Sequence, residues 1–417
     1  MGFTQKLCCA IAVALLLLPS CSDGIVDPIG DLEEIEEWAP VLSEEEADAL
    51  FGAAETQYAS LIDYPWLYYA GDYRVTEKER IMTVYRFNCE TGESEYACQD
   101  PVCTHDEESG CPFENYRNFG SLSTIHGGVL YTTQRFGGNP LEWYDPATAE
   151  HRELVPDADN YYVVGGELYF DRVEFSEEAA AAGENTFAKQ LWRYDWEAKS
   201  ATLVAETLEA YDVIEPVFAE GEERILLSSS YDFAGNFSEE QRYLYWIDPT
   251  TGERTPVLDY GIYGGTIWAT GHWFCYREDT YHLTLEEDSP FYLHLVDLET
   301  GEDKVVDEDC VGLEFVIPTD RYLLVLNPDP TGENMRILRC YDLEKGEWAK
   351  EYPLSGEYDA SLMRYYRGRL YFLSSWKTFV DDPEKAEIFG YLQWDILTGR
   401  QRLLCGERVF LPEISAE

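Results

Sequence analysis

Along residues 57–417, short apolar and aromatic runs alternate with turn-forming clusters, and one unit recurs seven times. Its clearest part is a strand ending in Asp or Asn, then a tight turn, commonly closed by Gly-Glu. The copies lie at 85–93 (YRFNCETGE), 141–150 (LEWYDPATAE), 191–200 (LWRYDWEAKS), 244–253 (LYWIDPTTGE), 293–302 (LHLVDLETGE), 338–347 (LRCYDLEKGE) and 392–400 (LQWDILTGR). The anchors Asn88, Asp145, Asp195, Asp248, Asp297, Asp342 and Asp395 are 45 to 57 residues apart, the period of propeller blades. An apolar-aromatic strand precedes each turn, as at 128–132, 166–170 and 321–326. Shorter strands flank the pair, as at 161–164 before it and 152–155 after it. Four antiparallel strands per repeat make a blade, and each blade must stack on its neighbours to bury its faces. The pattern predicts an all-β chain, a seven-bladed β-propeller of four-stranded antiparallel blades. A six-bladed ring is the alternative, because the first copy carries Asn88 in place of Asp.

The anchor carboxylates read as turn formers that accept backbone N–H bonds, with a left-handed Gly four residues on. Ala149 and Lys199 replace that Gly in two copies and weaken the signal there. With strands labelled A to D outward from the axis, A–B and C–D turns share one face. B–C loops and D–A connections share the other. The expected B–C loops at 71–80, 171–189, 231–242, 277–290 and 377–390 are long and unlike one another, as binding loops on a rigid scaffold usually are. Insertions that cost little loop entropy would look the same.

The N-terminus has a different pattern. Lys6 is followed by an uncharged apolar run over 7–18, too short to span a bilayer and suited to a secretory signal over 1–20. It ends in Leu18-Pro19-Ser20-Cys21, which resembles the lipobox of bacterial lipoproteins; that resemblance implies cleavage before Cys21 and acylation of its thiol. Pro19 departs from the usual small residue. Residues 21–56 hold many Asp and Glu and no Lys or Arg, so they read as an extended acidic tether. Ser43 with Glu46 is a capping-box signal for a short helix over 44–52. Together with the repeats, the chain resembles secreted bacterial lipoproteins with uncharacterised propellers similar to the TolB-like ones. The resemblance implies export and a lipid anchor on the outer face of the cell membrane.

Composition narrows the partners. With 30 Lys+Arg against 81 Asp+Glu the formal net charge is −51, which excludes nucleic acid as a partner because no basic footprint exists. Aromatic residues make up 15% of the chain, more than an acidic disordered segment carries.

One cluster has metal chemistry. Cys98, Cys103, His105 and Cys111 offer three thiolates and an imidazole in a D–A connection, a donor set that suits structural Zn²⁺. A disulfide among these cysteines is the competing reading, since export compartments permit it. Cys275, Cys310, Cys340 and Cys405 fall on or beside strands and read as small buried hydrophobes.

No Walker loop, dinucleotide fingerprint, His-Glu-x-x-His or Gly-x-Ser-x-Gly elbow occurs, and no residue is singled out as catalytic. Residues 230–236 (SYDFAGN) resemble a sialidase Asp-box faintly. His126 and His272 read as structural, His294 as packed, and His282 as a candidate for function. Acidic loops at Glu286-Glu287-Asp288 and Asp381-Asp382 suit Ca²⁺, or simply solvated surface. Tyr231, Phe233, Tyr281, His282 and Trp376 make up the expected binding face. The composite expectation is a non-catalytic, membrane-anchored module for a protein or glycan. A secreted propeller hydrolase or lyase, acting on carbohydrate or peptide at the channel, is the rival, and it predicts carboxylates converging near the axis with perturbed pKa values.

Overall fold

The second strand of each repeat is apolar at consecutive positions, so it must be covered on both faces. The computed structural model shows how. It describes residues 26–28 and most of 62–409 apart from several connections, with side chains for most of 95–351. The signal segment, Cys21, the expected helix over 44–52, His105, Tyr281, His282 and the acidic loops at 286–288 and 381–382 lie outside the described residues.

Among the described residues there are strands and turns but no helix, and the strands form seven antiparallel sheets. Sheet 1 holds Ile62–Asp63, Trp66–Val75, Arg80–Asn88 and Ser94–Tyr96, and sheet 2 Ser123–Ile125, Gly128–Thr132, Leu141–Asp145 and Glu150–Val155. Sheet 3 holds Asn160–Val164, Glu167–Phe175, Phe187–Asp195 and Ser200–Glu206. Sheet 4 holds Val213–Ala219, Glu222–Ser229, Gln241–Ile247 and Arg254–Pro256, with Ile262–Tyr263 added. Sheet 5 has Ile267–Thr270, Trp273–Asp279, Phe291–Asp297 and Asp303–Asp307, and sheet 6 Phe315–Pro318, Tyr322–Pro328, Arg336–Asp342 and Glu347–Leu354. Sheet 7 comprises Asp359–Tyr366, Arg369–Lys377, Glu387–Asp395 and Gln401–Val409. Pairing follows chain order A to D in each sheet. Three residues of the acidic segment, Val26–Pro28, form a fifth strand on sheet 7, with Val26 opposite Val409.

The first strands of sheets 1 to 6 touch in succession, so the sheets stand side by side with their A strands innermost. Period-two alternation then sends successive B-strand residues into opposite interfaces. Val129 and Tyr131 pack towards sheet 1 while Leu130 packs towards sheet 3. Leu168 and Phe170 face sheet 2 while Tyr169 faces sheet 4. Phe274 and Tyr276 face sheet 4 while Cys275 faces sheet 6. Cys275, Cys310 and Cys340 are fully buried, as their positions on or beside strands suggested. Close packing also explains Gly128: a Cβ there would lie 2.2 Å from Nε1 of Trp143, whose indole donates to the Ile125 carbonyl at 3.0 Å.

Among the described residues, Asp145, Asp195, Asp248, Asp297 and Asp342 act as turn formers. Asp145 Oδ1 accepts the Ala147 amide at 2.8 Å, and Asp195 Oδ1 accepts those of Glu197 and Ala198 at 2.8 Å each. The amides of Gly252, Gly301 and Gly346 each donate to their anchor's carbonyl at 2.8 Å. Ala149 and Lys199 keep the turn by adopting the left-handed region themselves, at φ +57° and +52°.

Several expected loops are shorter than the sequence suggests. The B–C pair of sheet 3 runs on to Phe175 opposite Phe187, that of sheet 1 to Val75 opposite Arg80, and that of sheet 5 to Asp279 opposite Phe291. In sheet 7 the pair runs on through Trp376 opposite Ile388 to Lys377 opposite Glu387. Aromatic and β-branched cross-strand pairs such as Phe175 with Phe187 favour extending the ladder over releasing it to a loop.

Candidate functional site

The face bearing the B–C and D–A connections gathers polar groups where sheets 3 and 4 meet. Asp171, in the B strand of sheet 3, is fully buried. Lys189 Nζ lies 3.1 Å from its Oδ2, the Tyr162 hydroxyl donates to Oδ2 at 2.9 Å, and the Asn160 amide donates to Oδ1 at 3.0 Å. Glu215, on the A strand of sheet 4, keeps partial solvent contact although protein surrounds it. Desolvation pushes its pKa up, the Asp171 charge adds to that, and Lys189 opposes it. Among the described residues no hydrogen bond to the Glu215 carboxyl is formed. Burial, then Asp171 and Glu215, push the Tyr162 phenol above its usual range. The corner therefore holds a compensated ion pair beside a carboxyl with raised proton affinity, able to accept or donate a hydrogen bond to a ligand.

Sheet 4 repeats part of this design. Asp212 is buried and accepts the Ser229 hydroxyl at 2.8 Å and the Ser230 amide at 3.0 Å, with Arg242 Nη1 3.9 Å away. Lys189 and Arg242 each stand six residues before their anchors, Asp195 and Asp248. The repeat thus places a cation at the same point of both C strands.

Aromatic rings lie at the B–C ends of the same two sheets. Tyr231 pairs with Phe237 across a turn, their rings 5.5 Å apart, and Phe233 lies edge-on to Tyr243 and Tyr245 at 5.5 and 5.4 Å. Phe233 is still 44% exposed and Phe237 51%, while Phe175 and Phe187 at the sheet 3 hairpin are 56% and 46% exposed. Of the expected binding face, Tyr231 and Phe233 share the turn over 231–237, both against Tyr245. Tyr281 and His282 are outside the described residues, and Trp376 is a strand residue of sheet 7. Phe175, Phe187, Phe237, Asp171 and Glu215 were missed. A charged residue closing the apolar run 168–170 was the one available signal for Asp171. The Asp-box-like segment is a self-contained turn. Asp232 Oδ1 accepts the Ala234 and Asn236 amides at 2.8 and 2.7 Å, and the Asn236 side chain, then these amides, lower its pKa.

His294 is packed, but against acids. Its Nδ1 lies 2.8 Å from Asp303 Oδ1, its Nε2 3.0 Å from Glu278 Oε2, and the Tyr276 and Tyr260 hydroxyls donate to Asp303 Oδ2 at 2.8 and 2.7 Å. Tyr260 comes from the segment between Arg254–Pro256 and Ile262–Tyr263 of sheet 4, so the cluster ties that segment to sheet 5.

Cys98, Cys103 and Cys111 converge in the connection between sheets 1 and 2, their sulfurs within 4.8 Å of one another and joined by no disulfide. Cys98 is lowered to about 5, chiefly by a hydrogen bond from the Cys111 thiol, whose own pKa that bond raises. The set can take a metal ion. His105 lies outside the described residues.

No known family model and no curated relative matches the chain. Solved structures do. An acylaminoacyl peptidase from Pyrococcus horikoshii is similar with a TM-score of 0.55 at 13% identity, over 84% of this chain and 53% of that one. A prolyl endopeptidase gives 0.54 and 13%, over 89% and 52%. The β-propeller domain of the Trilobed protease from Pyrococcus furiosus gives 0.55 and 11%, over 82% and 95%. The chain spans about half the length of the whole peptidases and nearly all of the separate propeller domain. At such identities the likeness shows the fold alone: an all-β propeller architecture of four-stranded antiparallel sheets.

Proposed function

We propose that the chain is an exported lipoprotein, acylated at Cys21 on the outer face of a bacterial membrane. In this reading its seven sheets are the blades of one ring, and it binds a protein or glycan on the face of the B–C and D–A connections. The observation that carries the reading is that sheets 3 and 4 carry both exposed Phe175, Phe187, Phe233 and Phe237 at their B–C ends and the buried Asp171 with Lys189 and Tyr162. Solvated aromatic area and fixed hydrogen-bonding groups on one face suit a ligand with apolar faces and hydroxyl or amide edges. A propeller scaffold by itself carries no activity.

The test uses the full chain on glycan and peptide arrays, with hits quantified by calorimetry. Joint Phe175→Ala and Phe233→Ala substitution is expected to weaken binding about tenfold or more, while Asp248→Ala on the turn face leaves it intact. Undiminished affinity in the double variant would sink the assignment of this face. Anchoring is tested by fatty-acid labelling, which Cys21→Ser should abolish.

The raised proton affinity of Glu215 favours a second reading, a hydrolase or lyase acting on carbohydrate or peptide at the channel. That reading requires turnover of an array hit that Glu215→Gln eliminates while binding persists.

A further inference from the structure

The recognition reading leaves Cys98, Cys103 and Cys111 without a role. Their sulfurs lie within 4.8 Å of one another. Cys98 and Cys111 are 3% and 7% exposed, and Cys103 is half-buried. A disulfide would consume two of them and strand the third beside the bond, where thiol–disulfide exchange would scramble it. Three thiolates instead match a soft, tetrahedral cation: Zn–S bonds of about 2.3 Å place sulfurs about 3.8 Å apart. We propose that these three thiolates hold one zinc ion, which staples the connection between sheets 1 and 2.

The surrounding structure fits a built site. Asp100 folds the intervening chain into a turn, accepting the Val102 amide on Oδ1 at 3.0 Å and the Cys103 amide on its carbonyl at 3.1 Å. That turn brings Cys103 back to Cys98. The Tyr144 hydroxyl, 3.7 Å from Cys98 Sγ, is positioned to donate to it and itself accepts the Gln99 amide at 3.0 Å. Such an outer hydrogen bond orients a thiolate ligand and disperses its charge. Two residues after Cys111, Phe113 is fully buried, with its ring 4.9 and 5.0 Å from Tyr131 and Tyr144. Fixing Cys111 therefore also fixes an anchor of the interface between sheets 1 and 2.

The full chain, purified without chelator, is analysed by elemental mass spectrometry alongside Cys98→Ser, Cys111→Ser and Cys275→Ser, the last lying in the core between sheets 5 and 6. The expected result is about one zinc per wild-type and Cys275→Ser chain and almost none in the other two. Because a cluster variant can fail to fold, wild-type protein is also stripped of metal and reloaded with Co²⁺. Thiolate-to-cobalt charge-transfer absorption with intense visible bands is the expected signature of a tetrahedral sulfur site. Cobalt that binds without thiolate absorption overturns the proposal. So does a metal-free protein whose unreduced digest contains a disulfide between Cys98 and Cys111.

Discussion

Two of the seven recurring turns are built with the wrong residue for their backbone, and correcting them should stabilise the protein by a calculable amount. Ala149 and Lys199 adopt φ of +57° and +52°, matching Gly252, Gly301 and Gly346 at +71°, +71° and +69°. A side chain in that region costs about 1–2 kcal/mol. Glycine's greater freedom in the unfolded chain takes back about 0.5–1 kcal/mol. Ala149→Gly and Lys199→Gly should therefore each gain about 0.5–1 kcal/mol, and their effects should add because the turns belong to different sheets. The reverse changes, Gly252→Ala and Gly301→Ala, should lose a similar amount. No atom lies within 4 Å of the Cβ either would add, so the loss comes from the backbone alone. Equilibrium urea unfolding reads the effect as a shifted midpoint with an unchanged slope. The reasoning fails if Ala149→Gly lowers the midpoint or Gly252→Ala leaves it in place.

Burial disfavours the charge on His294, but Asp303 and Glu278 outweigh it and raise its pKa above 6.5. The carboxyl of Asp303 moves the other way: burial raises it, yet His294 and the Tyr260 hydroxyl bring it below 3.8. The His294 contribution is complete below the free imidazole value and disappears as pH rises through the raised one; that of Asp303 is present above its free value and disappears as pH falls through the lowered one. The melting-temperature gap between wild type and His294→Gln should thus be widest between these limits and narrow on both sides, and a gap independent of pH contradicts the ion cluster. Glu215, with its raised pKa, destabilises the fold once ionised, so Glu215→Gln should melt higher at about pH 8 and equally at about pH 4; a lower melting temperature at the alkaline end would show the charge to be compensated. Gly128→Ala, which drives a Cβ into the Trp143 indole, should cost about 1–3 kcal/mol in chemical denaturation, and a neutral result would mean that sheet 2 relaxes around it.

The repeating unit was legible because its signals are local. An Asp, a short turn and a left-handed residue at a fixed offset are satisfied within a few residues, so the hydrogen bonds of Asp145, Asp195 and Asp342 followed from the sequence alone. The burial of Leu168, Tyr169 and Phe170 was legible too, because an unbroken apolar run must be covered on both faces. Loop lengths were not: 171–189 reads as irregular because its charged residues hide a ladder that ends only at Phe175 and Phe187. His294 was placed in the interior without its acids, since Glu278 and Asp303 reach it from the two neighbouring strands.

The sequence by itself determined the strand order within each sheet, the turn chemistry and the division into two faces, because all three depend on contacts between residues close along the chain. Only the tertiary structure decided what stands beside what: Glu215 against Lys189 and Asp171, Tyr144 of sheet 2 against Cys98, and Val26–Pro28 alongside Val409. Those neighbours come from different sheets or distant turns. Their proximity is set by how apolar flanks stack to exclude water, which no local pattern specifies.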